Sequence, residues 1–121
     1  GTFAVQPGVR LDSSEAGLAF TEEYNSKGFD VAINAYTPYA YEAATILLQA
    51  LKTLGDDPTP EKMVDAIAKG TFHGVMGETT FDEIGQTTLV AVNLNVIQDG
   101  KWVYYDDSEY ASGVRKFGGK E

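Results

Sequence analysis

The side chains that could carry chemistry in this chain are few and scattered. His73 is the only histidine, and cysteine is absent. A metal site needs several nitrogen, sulfur or carboxylate ligands at a suitable spacing, so one histidine without cysteines is a poor candidate. The lack of cysteine also excludes disulfides and thiol nucleophiles. We therefore predict no metal site and no cofactor, with His73 as a surface or strand residue.

The carboxylates do not form a catalytic pair either. Asp82 and Glu83 are adjacent, and neighbours in a strand or turn point in different directions. The acidic pairs at 56–57 and 106–107 lack the ligand spacing of a calcium loop. No serine lies in a G-x-S-x-G context, and no glycines form a phosphate-binding loop. The sequence thus predicts a protein that is not an enzyme.

Three tyrosines are the best candidates for binding a small molecule: Tyr36, Tyr39 and Tyr41. Tyr36 comes just before a predicted helix, and its ring offers a flat apolar face plus one hydroxyl, which suits an amino acid or an aromatic acid. The backbone N–H groups of Tyr39 and Ala40 lie at the helix start, where anions bind. We take Tyr36, Tyr39 and Ala40 as candidate ligand-binding residues. The alternative is that all three tyrosines pack in the core.

Composition excludes several classes of protein. The chain has 121 residues, 43% of them hydrophobic, and a net charge of -9. This is enough for one ordinary globular domain. An acidic chain does not provide the positive field that nucleic acid binding needs, so we predict no nucleic acid partner. The first ten residues lack the pattern of a signal peptide, so if a parent protein is exported, we expect that segment to be missing or to lie upstream.

Hydrophobic periodicity predicts three helices in the first 70 residues. The first spans 13–27 and is capped by Ser13 or Ser14, and the third spans 60–69 and is capped by Thr59. The second spans 38–54, with Thr37 as the cap and Pro38 in the first position. It is apolar over a wide face, so we expect burial on more than one side. Its main stripe comprises Ala40, Ala44, Leu47, Leu48, Leu51 and Leu54.

Strand patterns occupy both ends of the chain. Residues 3–5 predict a short strand, and residues 31–33 a strand or an extended link. Apolar residues alternate from Val90 to Val96, which is strand spacing. Asp99-Gly100 predicts a two-residue hairpin turn, and residues 101–105 form the returning strand. The polar tail from residue 106 is expected to be loosely held.

One glycine-rich stretch, GVMGETTFDEIGQ at 74–86, is the most informative motif. Its pattern G-x-x-G-x-x-x-F-D-x-x-G predicts a strand that bends, anchors itself through Phe81 and turns at Asp82. Two other stretches accompany it: F-x-x-x-Y at 20–24 and the aromatic, alanine-rich helix start at 35–44 with its acidic Glu42. Together and in this order, they resemble the C-terminal part of a type I periplasmic solute-binding protein of the branched-chain amino acid (leucine/isoleucine/valine) family.

The resemblance implies an α/β fold, the C-terminal portion of a two-lobed clamp, with a helix pair plus strands and a final β-hairpin. Residues 1–88 would be a first-lobe segment with hinge strands at both ends, 89–105 a second-lobe hairpin and 106–121 a polar tail. The implied hinge residues are Val5, Gln6, Gly77, Glu78 and Asp82. Phe3, Gln6 and Glu78 are further candidates beside the hinge that could reach the ligand.

The same resemblance implies the extracytoplasmic solute-binding component of an ABC importer for branched-chain or related amino acids, with small carboxylates also possible. Its partners would be the membrane permease subunits. It would be periplasmic, or lipid-anchored outside a Gram-positive cell. The alternatives are a ligand-sensing ectodomain of the same fold and a small stand-alone α+β enzyme. Since few strands here could cover the long helix, we expect association with the remainder of a parent chain or self-association.

Overall fold

The computed structural model of the protein describes residues 2–118. These residues divide into two compact units. We call residues 2–7 and 91–118 the sheet unit, and residues 8–90 the helical unit. The chain passes between the units after Pro7 and again after Val90. Gly1 and residues 119–121, which belong to the expected first-lobe segment and the expected tail, lie outside the described residues.

The fold is mixed α/β, and the elements follow the predicted order with one difference. Where the glycine-rich stretch predicts a single bent strand, two short strands pair across a turn. Three α-helices are present, and the strands form one three-stranded sheet and one two-stranded ribbon. The helices are α1 (Glu15–Ser26), α2 (Thr37–Leu54) and α3 (Pro60–Lys69), and the strands are β1 (Phe3–Pro7), β2 (Phe72–Gly74), β3 (Gly77–Thr79), β4 (Val92–Gln98) and β5 (Lys101–Tyr104). Two short 3₁₀ turns occupy Leu11–Ser13 and Tyr105–Asp107.

The sheet unit is antiparallel, with strand order β1-β4-β5. The predicted hairpin between β4 and β5 is confirmed. Asp99 and Gly100 have φ of 51° and 76°, so both adopt the left-handed conformation that a tight two-residue hairpin turn requires. Val96 in the middle strand is fully buried, whereas Val92 remains 62% exposed. The alternating pattern therefore gave the strand correctly but did not show which of its residues are buried.

The tail packs onto this sheet, so the expectation of a loosely held tail is wrong for residues 106–118. The Phe117 ring lies 4.7 Å from the Phe3 ring and stacks on Tyr110 at 4.2 Å. Arg115 donates through Nε to Glu109 and through Nη2 to Asp99, both at 3.0 Å. Aromatic ring contacts and charge pairing compensate for the polar composition that suggested loose attachment.

The predicted caps of α1 and α3 are confirmed. Ser14 Oγ accepts a hydrogen bond from the Gly17 N–H at 3.0 Å, and Thr59 Oγ1 accepts from the Lys62 N–H at 3.3 Å. Each cap satisfies one of the amides that the first helical turn leaves without an intrahelical partner.

Thr37 does not cap α2, so that prediction is wrong. Thr37 is the first helical residue, and its Oγ1 accepts from the backbone N–H of Asn34 at 3.0 Å. Asn34 forms a turn of its own, with Oδ1 accepting from the Tyr36 N–H at 2.9 Å. Residues 31–33 form an extended link with no strand pairing, and the Val31 carbonyl accepts from the Tyr24 hydroxyl at 2.9 Å.

The core of the helical unit lies between α2, α3 and the ribbon of β2 and β3. Ile46, Ala50 and Phe72 form its centre. Four half-buried apolar residues pack around them: Met63, Ala66, Ile67 and Phe81. Phe81 contacts Phe72 with ring centroids 6.4 Å apart, which confirms its predicted role as an anchor.

The buried side of α2 is not the stripe that the sequence favoured. Its buried residues are Pro38, Glu42, Ile46 and Ala50. The predicted leucines lie on another side and are exposed: Leu47 by 51%, Leu48 by 66% and Leu51 by 41%. Within the described residues, α2 is therefore covered on one side only.

Candidate functional site

The start of α2 holds the three residues predicted to bind a ligand. The turn at Asn34 fixes the backbone of Tyr36 and leaves its side chain in solvent, with the residue 72% exposed. An exposed phenol at a fixed backbone position can offer both a flat face and a hydroxyl to a small molecule. The exposure of Tyr36 is compatible with the predicted ligand contact, which stays a prediction.

Tyr39 and Ala40 are placed differently. Tyr39 is half-buried, and its ring lies beside Gly8, where an added Cβ would be 3.9 Å from Cε2. The Ala40 N–H donates to the Tyr36 carbonyl at 3.1 Å, so it is not free to bind an anion as expected. Pro38 has no N–H, and Thr37 donates to Asn34 O at 3.2 Å. Among the first four residues of α2, and within residues 2–118, only the Tyr39 N–H has no hydrogen-bond acceptor.

A second feature, which we call the aromatic groove, lies beside the start of α2. It has a volume of about 360 Å³ and is lined mainly by apolar and aromatic side chains: Phe20, Tyr24, Phe29, Ala40 and Tyr41, together with Glu23, Lys27 and Thr37. The Phe20 and Tyr41 rings are 4.9 Å apart, as are those of Tyr24 and Phe29. Apolar walls of this size can accept hydrocarbon side chains. Sequence reasoning picked out Phe20 and Tyr24 as a motif but missed the groove that they form with Tyr41.

The five predicted hinge residues fall at three places. Val5 and Gln6 lie in β1, directly before the passage from the sheet unit into the helical unit. Gly77 and Glu78 lie in β3, and Asp82 in the turn that follows it. Phe3, the further candidate, packs against Phe117 in the sheet unit.

Gly8 is a junction residue that the sequence argument missed. It is buried, has φ of 126° and lies against Ala35 and Tyr39. An L side chain at this φ is strained, so the glycine is required by the backbone. The dipeptide Pro7-Gly8 was the available signal, although it was interpreted only as the end of a strand.

The charged groups with shifted pKa lie away from these features. A hydrogen bond from Arg10 lowers the pKa of Asp12. Hydrogen bonds with Asp99 and then Tyr110 raise the pKa of Arg115. Within residues 2–118, no three metal-ligating side chains gather into a site. None of the helices in that range combines the length and the apolar character that spanning a bilayer requires. The His73 side chain is 72% exposed, and its Nδ1 lies 3.9 Å from Oε2 of Glu78 on the neighbouring strand of the ribbon.

A scan against family models matches residues 1–101 to the periplasmic binding protein family. The chain belongs to this family, which confirms the resemblance. It is 34% identical over 101 residues to the Leu/Ile/Val-binding protein homolog 1 of Brucella abortus (strain 2308). That alignment covers 81% of this chain and 26% of the relative, so the chain spans about a quarter of the length of the curated relatives it matches.

Solved structures show the same fold. An ABC transporter substrate-binding protein from Desulfitobacterium hafniense, in complex with Leu, matches with a TM-score of 0.67 and 23% identity, over 86% of this chain and 31% of that one. A solute-binding protein from R. palustris, in complex with benzoate, matches with a TM-score of 0.69 and 18% identity, over 87% and 29%. The mixed α/β fold of this chain is therefore part of a periplasmic binding protein fold.

Proposed function

We propose that this chain is the C-terminal part of the extracytoplasmic solute-binding component of an ABC importer, and that it serves uptake of branched-chain or related amino acids. The 34% identity to a Leu/Ile/Val-binding homologue over 81% of the chain is the observation that carries this proposal. The membrane permease subunits are its partners, and it acts by binding without catalysis. Closure of two lobes around the solute is the mechanism, with the solute stabilising the closed form.

The exposed side of α2 supports the idea that this chain functions within a larger protein. Seven residues follow one another at helical spacing along that side: Thr37, Ala40, Tyr41, Ala44, Leu47, Leu48 and Leu51. At a rise of about 1.5 Å per residue the stripe is about 21 Å long, which matches the width of about four strands of a β-sheet. The aromatic groove continues it onto α1. A sheet supplied by the remaining part of the parent chain fits this two-helix surface.

Within this protein, we assign solute contact to Tyr36, with Tyr39 and Ala40 beside it, and the hinge to the stretches around Val5–Gln6, Gly77–Glu78 and Asp82. Tyr36 is supported by its exposure and by the Asn34 turn that fixes its backbone. Val5 and Gln6 are supported by their place just before a passage between the units. Small carboxylates are a second ligand class, favoured by the fold similarity to a protein solved with benzoate.

Binding by the complete parent protein tests the proposal. Leucine, isoleucine, valine and benzoate are titrated by calorimetry into the wild type and into Tyr36→Ala. We expect saturable binding of at least one solute, and a dissociation constant about tenfold higher in Tyr36→Ala because a stacked aromatic face is lost. Val64→Ala, which changes a similarly exposed apolar residue on α3, is the control. Absence of binding to every solute in the panel contradicts the proposal.

The alternative of a sensing ectodomain predicts solute binding without transport. Reconstituting the parent with its permease subunits in vesicles separates the two, since only an importer component stimulates solute uptake. Turnover of hydrolase substrates by the isolated chain would instead favour the small stand-alone enzyme.

A further inference from the structure

The tip of the β2–β3 ribbon is unusual because it is buried. Val75 and Met76 form a two-residue turn between Gly74 and Gly77, and they are only 4% and 6% exposed. Turns usually lie in water, which satisfies their backbone amides. A buried turn needs acceptors from the protein instead. The Met76 N–H therefore requires a partner that its own ribbon does not provide.

Glu42 of α2 supplies that partner. Its carboxylate, in a residue 4% exposed, accepts from the Met76 N–H through Oε2 at 3.1 Å and from the Thr79 hydroxyl through Oε1 at 3.5 Å. Gly74 leaves the room for this approach, because a Cβ at that position would collide with the carboxylate. Hydrogen bonds to an ionised group are stronger than neutral ones, so this contact is well suited to hold a buried turn.

A second contact lies two helical turns further along α2. Gln49 Nε2 donates to the His73 carbonyl at 2.9 Å, with Ile46 of the core between the two contacts. The ribbon is thus attached along the length of α2 from Glu42 to Gln49. Glu42 is the attachment nearest to the helix start, one turn from Tyr39 and less than two turns from Tyr36.

We propose that Glu42 is a positioning residue for solute binding: its carboxylate holds the first turn of α2 on the buried ribbon tip, and so fixes Tyr36 and Tyr39 for the solute. This proposal rests on the proposed function. The hydrogen bonds of the Glu42 carboxylate go to Met76 and Thr79 of the ribbon, so its effect on affinity passes through the helix start. The carboxylate links two motifs that the sequence presents separately, the helix start at 35–44 and the glycine stretch at 74–86.

Three substitutions separate the parts of this role. Glu42→Ala leaves the Met76 N–H and the Thr79 hydroxyl buried without an acceptor. Glu42→Gln keeps an oxygen for Met76 and has an amide that can donate to Thr79 Oγ1, so it restores the contact without the charge. Glu42→Asp keeps the carboxylate, but the side chain is one methylene shorter and the oxygen lies further from the Met76 N–H. Glu22→Ala, an exposed glutamate on α1, is the matched control.

The experiment uses the complete parent protein, with hydrogen exchange of the ribbon and leucine affinity measured on the same samples. We expect Glu42→Ala and Glu42→Asp to speed exchange at residues 75–79 and to raise the leucine dissociation constant, each by about tenfold, as loss of a hydrogen bond to a charged group predicts. Glu42→Gln is expected to stay within about threefold of wild type on both, because the contact is preserved. Glu42→Asp decides the question if Glu42→Ala does not fold.

Two results overturn the proposal. Faster exchange with unchanged leucine affinity would make Glu42 a purely structural residue. Unchanged exchange in both Ala and Asp variants would show that the carboxylate does not hold the ribbon. Failure of the proposed function has a different signature. In that case the wild type binds none of leucine, isoleucine, valine or benzoate, and the positioning role fails with it. Hydrogen exchange of the ribbon would still respond to substitution of Glu42.

Discussion

Asp82 organises the turn after the ribbon through its side chain. Its Oδ1 accepts from the N–H of Ile84 at 3.0 Å and of Gln86 at 2.8 Å, and its carbonyl accepts from Gly85 at 3.0 Å. Gly85 has φ of 79°, which a glycine adopts without strain. The turn that the sequence predicts at Asp82 is confirmed, and it is of the Asx type.

Asp82→Ala removes both side-chain bonds at once. We expect the free energy of unfolding of the parent to fall by about 1–2 kcal/mol, because two backbone amides lose a charged acceptor but can still reach water. Urea unfolding measures the change. Glu83→Ala, on the adjacent exposed residue, should stay within about 0.5 kcal/mol. Equal effects of the two substitutions would show that the turn does not depend on Asp82.

At the residue scale, the sequence predicted hydrogen bonds between residues that are close in sequence and missed those between residues that are far apart in sequence. Asp82, Ser14 and Thr59 bond to amides two to four residues away, and composition at short range reveals such bonds. Glu42 bonds to Met76, 34 residues further along. Only folding brings Glu42 and Met76 together. The sequence therefore showed an acidic residue in a helix and a glycine-rich turn, but not the hydrogen bond between them.

Among the elements, α3 shows how a cap and a first-turn carboxylate act together. Thr59 Oγ1 accepts from Lys62, and Glu61 lies in the first turn. We expect Thr59→Ala to lower the free energy of unfolding by about 1 kcal/mol, the usual cost of a lost N-cap. Chemical denaturation at neutral pH measures it. Thr71→Ala, on an exposed threonine outside the helices, is the control and should change little.

The same helix end gives a pH dependence with a defined sign. A hydrogen bond from its own backbone N–H, and then one with the Thr59 side chain, lowers the pKa of Glu61 below 4.5. The folded state therefore binds this proton less readily than the unfolded state, so the stabilisation is present above pH 4.5 and is lost as the pH falls through the folded-state pKa. In Thr59→Ala, the loss of stability between neutral and acidic pH should be smaller, because the Thr59 hydroxyl no longer lowers the pKa of Glu61. An identical acid dependence in both proteins would contradict the role of the hydroxyl.

The long helix α2 marks the limit of prediction at the element scale. Its periodicity and its end at Gly55 gave the right bounds to within one residue. The pattern could not decide which side is buried, because α2 carries apolar residues on two sides. The side with Ile46 and Ala50 meets the ribbon and α3, and the leucine stripe has no covering among residues 2–118. A helix with two apolar sides typically packs between two layers. Residues 2–118 supply one layer, and we propose that the rest of the parent supplies the other.

At the scale of the whole molecule, the fold of this chain corresponds to only part of a family member. The chain folds into a sheet unit and a helical unit that match about 30% of the length of solved family members. The glycine pattern at 74–86 predicts one bent strand and missed the ribbon of β2 and β3. The hairpin and the helix pair were predictable because each follows from local turn chemistry and periodicity. The grouping of β1 with β4 was not, since Phe3 and Val96 lie 93 positions apart in sequence and pair only in the sheet.

Leu48 gives the sharpest test at this scale, because its surroundings should differ between this chain and the complete parent. It is 66% exposed here, in the middle of the uncovered stripe of α2. If the remaining part of the parent supplies a covering sheet, Leu48→Ala should lower the free energy of unfolding of the parent by about 2–3 kcal/mol, as for a buried leucine. In the isolated 121-residue chain, kept dilute enough to be monomeric, the same change should cost less than about 0.5 kcal/mol.

Val64→Ala serves as the control, because Val64 is also 66% exposed but lies on α3, away from the stripe. It should change little in either protein. Sedimentation at rising concentration adds a second readout: the isolated chain should self-associate through the open stripe, and Leu48→Glu should keep it monomeric by placing a charge there. If Leu48→Ala costs the parent no more than Val64→Ala does, the stripe is not covered in the parent, and the two-layer placement of α2 is wrong.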